Sequence, residues 1–241
     1  GWEMPVWYSS VIEEHHATRN AAGLFDVSHM GVFEAQGTSS GIFLDCVCGN
    51  SISDLDVGES CYTHFLDIHA KVIDDLLVYR HAEEKYLIVV NASNAEKDWN
   101  WLDAVRSGKI KIDTKRPWAT SFGRGVHLKN LNDVNAKGEQ RVDIALQGPL
   151  SKDILLNIGF SKNDSISINK LKRTQLCHAM WEENDLIISR TGYTGEKMAF
   201  EIFIHPIKSI DLWKKLIEIG EPLGLKPCGL GARDSLRTEA G

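Results

Sequence analysis

The sequence predicts an α+β fold, in which mixed or antiparallel sheets are covered by packed helices. Helical patterns and β-runs alternate along the chain without the regular strand–helix–strand rhythm of a parallel sheet. Two long β-runs, 72–80 and 85–91, are separated by only four residues, which is typical of an antiparallel hairpin. Hydrophobic residues make up 43% of the 241 residues, enough for a substantial core without disulfides or metal.

Capping residues and periodicity predict the elements of the N-terminal half. Ser9 and Ser10 can cap a first helix, and Gly23 follows it. Asn94 opens another helix, which Gly108 ends. The predicted helices cover residues 11–22, 40–47 and the segment after Asn94, and the predicted strands cover residues 24–27, 32–35, 61–66, 72–80 and 85–91.

The C-terminal half continues the same mixture. A strand is predicted over residues 109–113, followed by a polar, irregular stretch at 114–138 with one short strand at 126–128. Further strands are predicted at 142–146, 175–181, 186–190 and 200–204, and helices at 150–158, 207–219 and 234–240. Because a helical pattern is still running at the last residue, the sequence reads as a fragment.

Composition excludes several classes of protein. The formal net charge of −6 argues against a nucleic-acid binder, which usually carries a basic face. No apolar run approaches the roughly 20 residues that cross a bilayer. Five cysteines, an odd number, favour reduced thiols over a disulfide framework. The adjacent His15 and His16 do not share a helix face, so no metal site is predicted.

Asp74 and Asp75 are two adjacent carboxylates inside an apolar β-run. Strand alternation sends one of the two side chains to each face, so one carboxylate would point towards the packed side. A carboxylate there needs hydrogen bonds or a function. The alternative is that both acids lie in an exposed bend at the start of the strand.

Two other short runs are unusually polar or rich in glycine. The first is RTGYTGE at 190–196, where glycines flank Tyr193 and allow close approach of the backbone to a ligand, although a plain β-turn would look the same. Glu201, in the apolar strand that follows, needs a partner. The second run is CGLGARDSLR, in which Asp234 or Ser235 can cap the last helix and Arg233 would lie near an anion-binding helix N-terminus.

Taken together, these runs resemble the glycine-cleavage T-protein (aminomethyltransferase) family of folate enzymes. The resemblance covers nearly the whole chain, in seven motifs that occur in family order: GWEMPVWY at residue 1, LFDVSHMG at 24, VIDDLLVY at 72, VVNASN at 89, ALQGP at 145, RTGYTGE at 190 and PCGLGARDSLRTEAG at 227.

The resemblance implies a folate-binding region over residues 1–241, compatible with two interleaved, ferredoxin-like subdomains, without the family's C-terminal β-barrel. It implies tetrahydrofolate as cofactor and, for a true T-protein, the lipoylated H-protein as partner. A cytoplasmic location is expected, or the mitochondrial matrix in a eukaryote. Neither nucleic acid nor membrane is expected as a partner.

The resemblance also implies roles for single residues around one pocket. Asp74 matches the catalytic carboxylate beside the reactive pterin nitrogens, and Glu201 and Arg233 match residues that hold the pterin. One carboxylate can accept the adjacent N–H and amino groups of a pterin, and another can stabilise the positive charge of the one-carbon unit or take a proton. Other pocket-lining positions are matched by Met30, Tyr62, Asn91 and Tyr193.

Three functions remain open from the sequence. The first is aminomethyl transfer in glycine cleavage, and the second is demethylation of a small methylated compound onto tetrahydrofolate. Departures at Ala70-Lys71, where the family has paired glycines, and at 197–199 point towards a different donor. The third is a folate-binding protein without transferase activity; the branch that assists iron–sulfur assembly carries a cysteine where this chain has RTGYTGE.

Overall fold

A computed structural model describes residues 2–113, 115, 122 and 125–241 of the chain. The chain divides into two compact units. The first unit combines residues 1–29 with 141–241, and the second unit is formed by residues 30–140.

The first unit contains a six-stranded sheet and five helices among its described residues. The strands are β1 (Ala22–Asp26), β7 (Val142–Gln147), β8 (Leu176–Trp181), β9 (Asn184–Ser189), β10 (Ala199–Ile204) and β11 (Leu225–Cys228), and the helices are α1 (Val11–Asn20), α4 (Ser151–Leu156), α5 (Lys162–Lys170), α6 (Pro206–Gly220) and α7 (Leu230–Ala240). The strand order is β11-β1-β7-β10-β9-β8, with β1 and β11 parallel and the other pairs antiparallel.

One face of this sheet forms the hydrophobic core of the first unit. Side chains such as Leu24, Ile144, Leu146 and Ile202 are completely or almost completely buried there, together with Leu212 of α6. Strand alternation sends the residues between them to the opposite face, where polar side chains are concentrated.

The second unit is built on a five-stranded antiparallel sheet in the order β3-β4-β5-β2-β6. Its described elements are β2 (Gly31–Gln36), α2 (Ser40–Val47), β3 (Glu59–Leu66), β4 (Val72–Ala82), β5 (Lys85–Val90), α3 (Ala95–Arg106), β6 (His127–Asn130) and a 3-10 segment over Val134–Glu139. Phe33, Val78 and Ile88 pack from one sheet face against Phe43 of α2 and Leu102 of α3.

The α+β class and the mixed and antiparallel sheets are confirmed, and several element boundaries are corrected. Residues 109–113 form no strand, although Ile110 and Ile112 pack against the core of the second unit. The short strand of the polar stretch is β6, but residues 114, 116–121 and 123–124 of that stretch lie outside the described residues. Helix α5 and strand β11 were not predicted, and α7 begins at Leu230 rather than at Asp234.

The cysteines all carry free thiols, as the odd count predicts. In the part of the chain that the structure describes, no helix combines the length and the apolar character of a membrane span.

Candidate functional site

Strand pairing places a set of polar residues on the face of the first sheet that is turned away from its helix-packed core. Asp143 and Gln147 of β7 lie on this face with Glu201 of β10, because Glu201 pairs with Ala145, two residues from each. Ser189 of β9 pairs with Glu201 and therefore faces the same way. All four side chains are buried. We call this set, Asp143, Gln147, Ser189 and Glu201, the polar face.

Glu201 is held by a hydrogen bond from its neighbour Thr191. The hydroxyl of Thr191 donates to Glu201 Oε2, and it also lies 3.1 Å from the hydroxyl oxygen of Ser189. Glu201 itself is 7% exposed. A carboxylate buried in the middle of an otherwise apolar strand is costly unless it is hydrogen-bonded, so this arrangement fixes the Glu201 carboxylate in place.

Asp143 is the most deeply buried acid of the polar face. It is 0% exposed, and neither of its side-chain oxygens has a hydrogen-bond partner in the described part of the chain. Burial and the nearby Glu201 carboxylate raise the pKa of Asp143 well above the ordinary value of an aspartate. Asp143 therefore favours its protonated form, in which it can donate as well as accept a hydrogen bond.

Arg233 of α7 brings positive charge to the same unit. Its guanidinium lies over the ring of Tyr193, 4.6 Å from the ring centroid, in a cation–π contact. Burial lowers the pKa of Arg233, while the charge of Glu201 counteracts that shift. A small pocket lies beside Arg233 and is also lined by Tyr8 and Asp26.

The N-terminus of α7 does not offer the anion site that the sequence suggests. The amide of Gly229 donates to the Glu14 carboxylate at 2.8 Å. The amides of Leu230 and Gly231 donate to the carbonyls of Pro5 and Val6, at 3.0 and 2.9 Å. Three amides at the start of the helix are thus bound by the N-terminal part of the chain, and Arg233 follows them within the first turn.

The turn that carries Tyr193 is held against the sheet by Gln147. Its Oε1 accepts the Thr194 hydroxyl at 2.8 Å and lies 3.3 Å from the amide of Tyr193. A β-carbon on Gly192 would collide with the side chains of Gln147 and Ala199, so close approach requires glycine there. The sequence predicts that the backbone of this glycine-rich run approaches a ligand closely. In the structure this backbone closely approaches the polar face.

In the second unit, Asp74 lies on the helix-packed face of the sheet. It is 5% exposed and accepts three N–H groups: the Asn91 amide at 3.2 Å, the Asn91 side chain at 3.0 Å and the Asn94 side chain at 2.5 Å. Asn94 precedes α3 but uses its side chain on Asp74 rather than to cap the helix. The alternative that Asp74 and Asp75 both lie in an exposed bend is excluded, because both residues lie within strand β4.

Asp75 points to the opposite side of the same strand. Its side chain is partly exposed, accepts the Tyr62 hydroxyl at 2.9 Å and accepts the Asn91 side chain at 3.1 Å. Tyr62 is itself 57% exposed. The Asn91 side chain therefore bridges the two acids, and Asp75 is the one whose carboxylate lies at the surface of the sheet.

The predicted site residues thus form two groups, each described within its own unit. Tyr193 and Arg233 are in contact in the first unit, and Glu201 interacts electrostatically with Arg233 there. Asp74, Asn91 and Tyr62 form one hydrogen-bonded set in the second unit through Asp75. Met30 lies directly before β2 and is partly buried. The catalytic role predicted for Asp74 stays a prediction.

Three titratable residues that lie in or beside these two groups were not predicted from the sequence. Asp143 and Asp98 carry strongly perturbed carboxyls, the latter with a pKa raised to about 8 by burial and by Asp74. His29 has a buried Nδ1 without a partner among the described residues, and burial and Arg233 lower its pKa. An acid inside an apolar run, as in VDIAL, is the signal that could have revealed Asp143.

The family model described as the GCVT N-terminal domain matches residues 1–241, and the chain belongs to this family. Among curated relatives, the aminomethyltransferases of Bacillus cytotoxicus and Bacillus mycoides are each 42% identical to it over 240 residues. The aminomethyltransferase of Thermoanaerobacter pseudethanolicus is 39% identical over 241 residues. These matches cover 100% of the chain but only 58% of each relative's length.

Solved structures agree with this relationship. The glycine cleavage system aminomethyltransferase T from Bartonella henselae superposes with a TM-score of 0.80 at 33% identity, over 100% of this chain and 57% of that one. A chain of the heterotetrameric sarcosine oxidase from Corynebacterium sp. U-96 matches with a TM-score of 0.55 at 12% identity, over 89% of this chain and 92% of that one. The latter shows a shared fold alone.

Proposed function

We propose that this chain is the folate-binding part of a tetrahydrofolate-dependent aminomethyltransferase of glycine cleavage. The observation that carries the proposal is the 42% identity, over the whole chain, to proteins named aminomethyltransferase. The reaction would convert the aminomethyl-lipoyl carrier protein and tetrahydrofolate into methylenetetrahydrofolate and ammonia. Since the chain spans 58% of those relatives' length, the proposal concerns a protein that contains this chain.

The polar groups of the first unit fit a pterin. Bound tetrahydrofolate would supply the nitrogen atoms that accept the one-carbon unit. The Glu201 carboxylate can accept an N–H and an adjacent amino group together. Asp143 and the Nε2 of Gln147 lack partners among the described residues, which matches a ligand that has both donors and acceptors.

Arg233 and Tyr193 would complete the binding contribution of this unit. The Tyr193 ring is 48% exposed and offers a flat apolar surface to a planar ring. Arg233 keeps its charge because a guanidinium does not lose its proton in proteins. The positive charge of Arg233 offsets part of the negative charge on the acids of the polar face, and its N–H groups can donate to a carbonyl of the ligand.

In the second unit we assign the reacting carboxylate to Asp75 and a supporting role to Asp74. Asp74 already accepts three N–H groups on the packed face, which leaves little capacity for a ligand. Asp75 lies on the other face beside the exposed Tyr62 and can stabilise developing positive charge or hold a proton. This assignment moves the predicted catalytic role by one residue.

The proposed partner is the lipoylated H-protein, and the proposed location is the cytoplasm, or the mitochondrial matrix if the source is a eukaryote. The relatives named above are bacterial aminomethyltransferases. Free thiols at all five cysteines are compatible with a reducing compartment.

The test is an assay of the full-length protein with tetrahydrofolate and aminomethylated H-protein. The expected result is release of ammonia that depends on both substrates. Folate binding without ammonia release from this donor would reject glycine-cleavage transfer, and turnover of a small methylated compound instead would establish the demethylase alternative. Binding without turnover of any donor would identify a non-catalytic folate protein.

A further inference from the structure

Asp98 is a buried acid of the second unit that the proposed mechanism has not used. It lies on α3, one turn after Asn94, and its side chain is 0% exposed. Neither of its carboxyl oxygens is reached by an N–H or O–H donor in the described part of the chain. The group it faces is the carboxylate of Asp74 on β4.

Two carboxyl groups in contact within a protein core cannot both be ionised without a large penalty. The charged groups that act on Asp98 are Asp74 of β4 and Lys97 of its own helix. The Lys97 ammonium is bound to the Ile73 carbonyl at 2.7 Å and to the Asn94 side chain at 3.0 Å, on the exposed side. One of the two acids must therefore hold a proton.

The hydrogen bonds decide which acid holds it. Asp74 accepts three N–H groups, which stabilise its charged form, whereas Asp98 accepts none. The pKa of Asp98 is raised to about 8, by burial first and by Asp74 second, in agreement with this geometry.

We propose that Asp98 is a positioning residue. Its carboxylic acid donates a hydrogen bond to Asp74, and Asp74 in turn fixes the side-chain amide of Asn91, which orients Asp75. The connection is continuous: the Asn91 side chain lies 3.0 Å from Asp74 Oδ1 and 3.1 Å from Asp75 Oδ1, and Asp75 Oδ2 accepts the Tyr62 hydroxyl. The inference rests on the proposed function only in naming Asp75 as the reacting carboxylate.

Loss of the Asp98 proton would have a defined effect. It would replace the donor by a second negative charge against Asp74, and the carboxylate of Asp74 would turn away from Asp98. This change releases the Asn91 side-chain amide from its present position. The arrangement of Asp75 should therefore depend on pH in the range in which Asp98 titrates.

Infrared spectroscopy tests the proton directly and independently of any enzymatic activity. Besides the band of protonated Asp143, the wild-type spectrum near neutral pH should contain a protonated-carboxyl band that is absent from Asp98→Asn and is lost as pH rises through about 8. The control Asp103→Asn, on the same helix but 36% exposed in an ion pair with Arg106, should leave the band unchanged. A wild-type spectrum identical to that of Asp98→Asn near neutral pH would overturn the proposal.

Kinetics of the full-length protein test the positioning role. Asp98→Asn keeps an N–H donor towards Asp74, so kcat should fall by less than about threefold and should persist above about pH 8, where wild-type kcat declines. Asp98→Val removes the donor, so kcat should fall by about tenfold or more with little change in the KM for folate.

Equal kcat for Asp98→Val and wild type, or an equal loss in the Asn and Val variants, would reject the positioning role. A wild-type protein that shows the infrared band but releases no ammonia would count against the proposed function and leave the Asp98 proton established. The two proposals can therefore fail separately.

Discussion

At the scale of single residues, the alternation of strand β4 gives two neighbouring aspartates different environments. Asp74 accepts three N–H groups on the packed face, and Asp75 accepts a tyrosine hydroxyl on the other. Asn91 touches both acids, so a change at one is transmitted to the other. In the proposed roles, the difference between a supporting and a reacting carboxylate follows from strand register rather than from residue type.

Paired substitutions should separate these roles. Asp75→Asn should lower kcat by about 100-fold or more while folate affinity stays within about threefold, since it removes charge that acts in the transition state. Asp74→Asn should lower the free energy of unfolding by about 1–3 kcal/mol, because it replaces an acceptor that three N–H groups share. Steady-state kinetics and urea unfolding measure the two effects, and a larger loss of kcat in stably folded Asp74→Asn would return the catalytic role to Asp74.

Ala70 shows how a family departure is accommodated. It has φ +59°, the left-handed region that favours glycine, at the turn where the family resemblance predicts paired glycines. The turn is held by the Asp67 side chain, which accepts the amides of His69 and Lys71 at 2.7 and 2.9 Å. The backbone shape expected of glycine is thus kept by hydrogen bonds.

At the scale of elements, the turn after β9 is fixed from two sides. Gln147 of the polar face binds it from the sheet. Arg19 of α1 donates to the Thr194 carbonyl at 2.8 Å and pairs with Glu196 at 2.7 Å. The turn that presents Tyr193 to Arg233 is therefore part of the rigid framework of the first unit.

Gly192→Ala should loosen this turn. The added β-carbon would meet Gln147 and Ala199, so we expect a loss of about 1–3 kcal/mol in the free energy of unfolding and weaker folate binding. Gly138→Ala is the matched control, since a β-carbon there meets nothing within 4 Å. Equal unfolding midpoints and equal folate affinities in the two variants would show that the close contact is unimportant.

Elements marked by strong local signals could be predicted from the sequence, and those made by tertiary contacts could not. The hairpin of β4 and β5 and the helix over Ser40–Val47 are plain in the periodicity. Strand β11 is short and contains Pro227, which fits only the edge position it occupies. Helix α7 starts early because Pro5, Val6 and Glu14 bind its first amides, and these partners lie at least 215 residues away along the chain.

The candidate site was predictable in part for a similar reason. Motif resemblance selected Glu201, Arg233, Tyr193, Asn91 and Tyr62, and strand alternation predicted one buried member of the Asp pair, with an exposed bend as the alternative. Which member it is depends on register, and the proton on Asp98 depends on burial against Asp74. Neither can be read from a single segment.

At the scale of the whole molecule, two buried acids should shape the dependence of stability on pH. The pKa of Asp98 is raised to about 8 and that of Asp143 is raised well above its ordinary range. Above the unfolded-state pKa of about 4, the native state then binds more protons than the unfolded state, so stability falls as pH rises. For Asp98 this loss ends near pH 8, where the native carboxyl has also ionised.

Urea unfolding between about pH 5 and 8 tests this expectation. Asp98 should contribute a decrease of up to about 1.4 kcal/mol per pH unit, and Asp143 should add a decrease of the same sign. The double variant Asp98→Asn, Asp143→Asn should show a flatter profile, with its greatest gain relative to wild type at the alkaline end. Parallel profiles for the two proteins would mean that both carboxyls are already ionised in the native state.

The central claim is that the polar face of the first unit binds a reduced pterin through Glu201. Calorimetric titration of tetrahydrofolate into the full-length protein tests it most directly, with Glu201→Gln compared against the exposed control Glu218→Gln on α6. We predict measurable binding by wild type, an unchanged Kd in the control and a Kd about tenfold to 100-fold higher in Glu201→Gln, because a hydrogen bond to a charged acceptor is lost. Equal affinity in Glu201→Gln and wild type, or no binding by wild type, would contradict the claim.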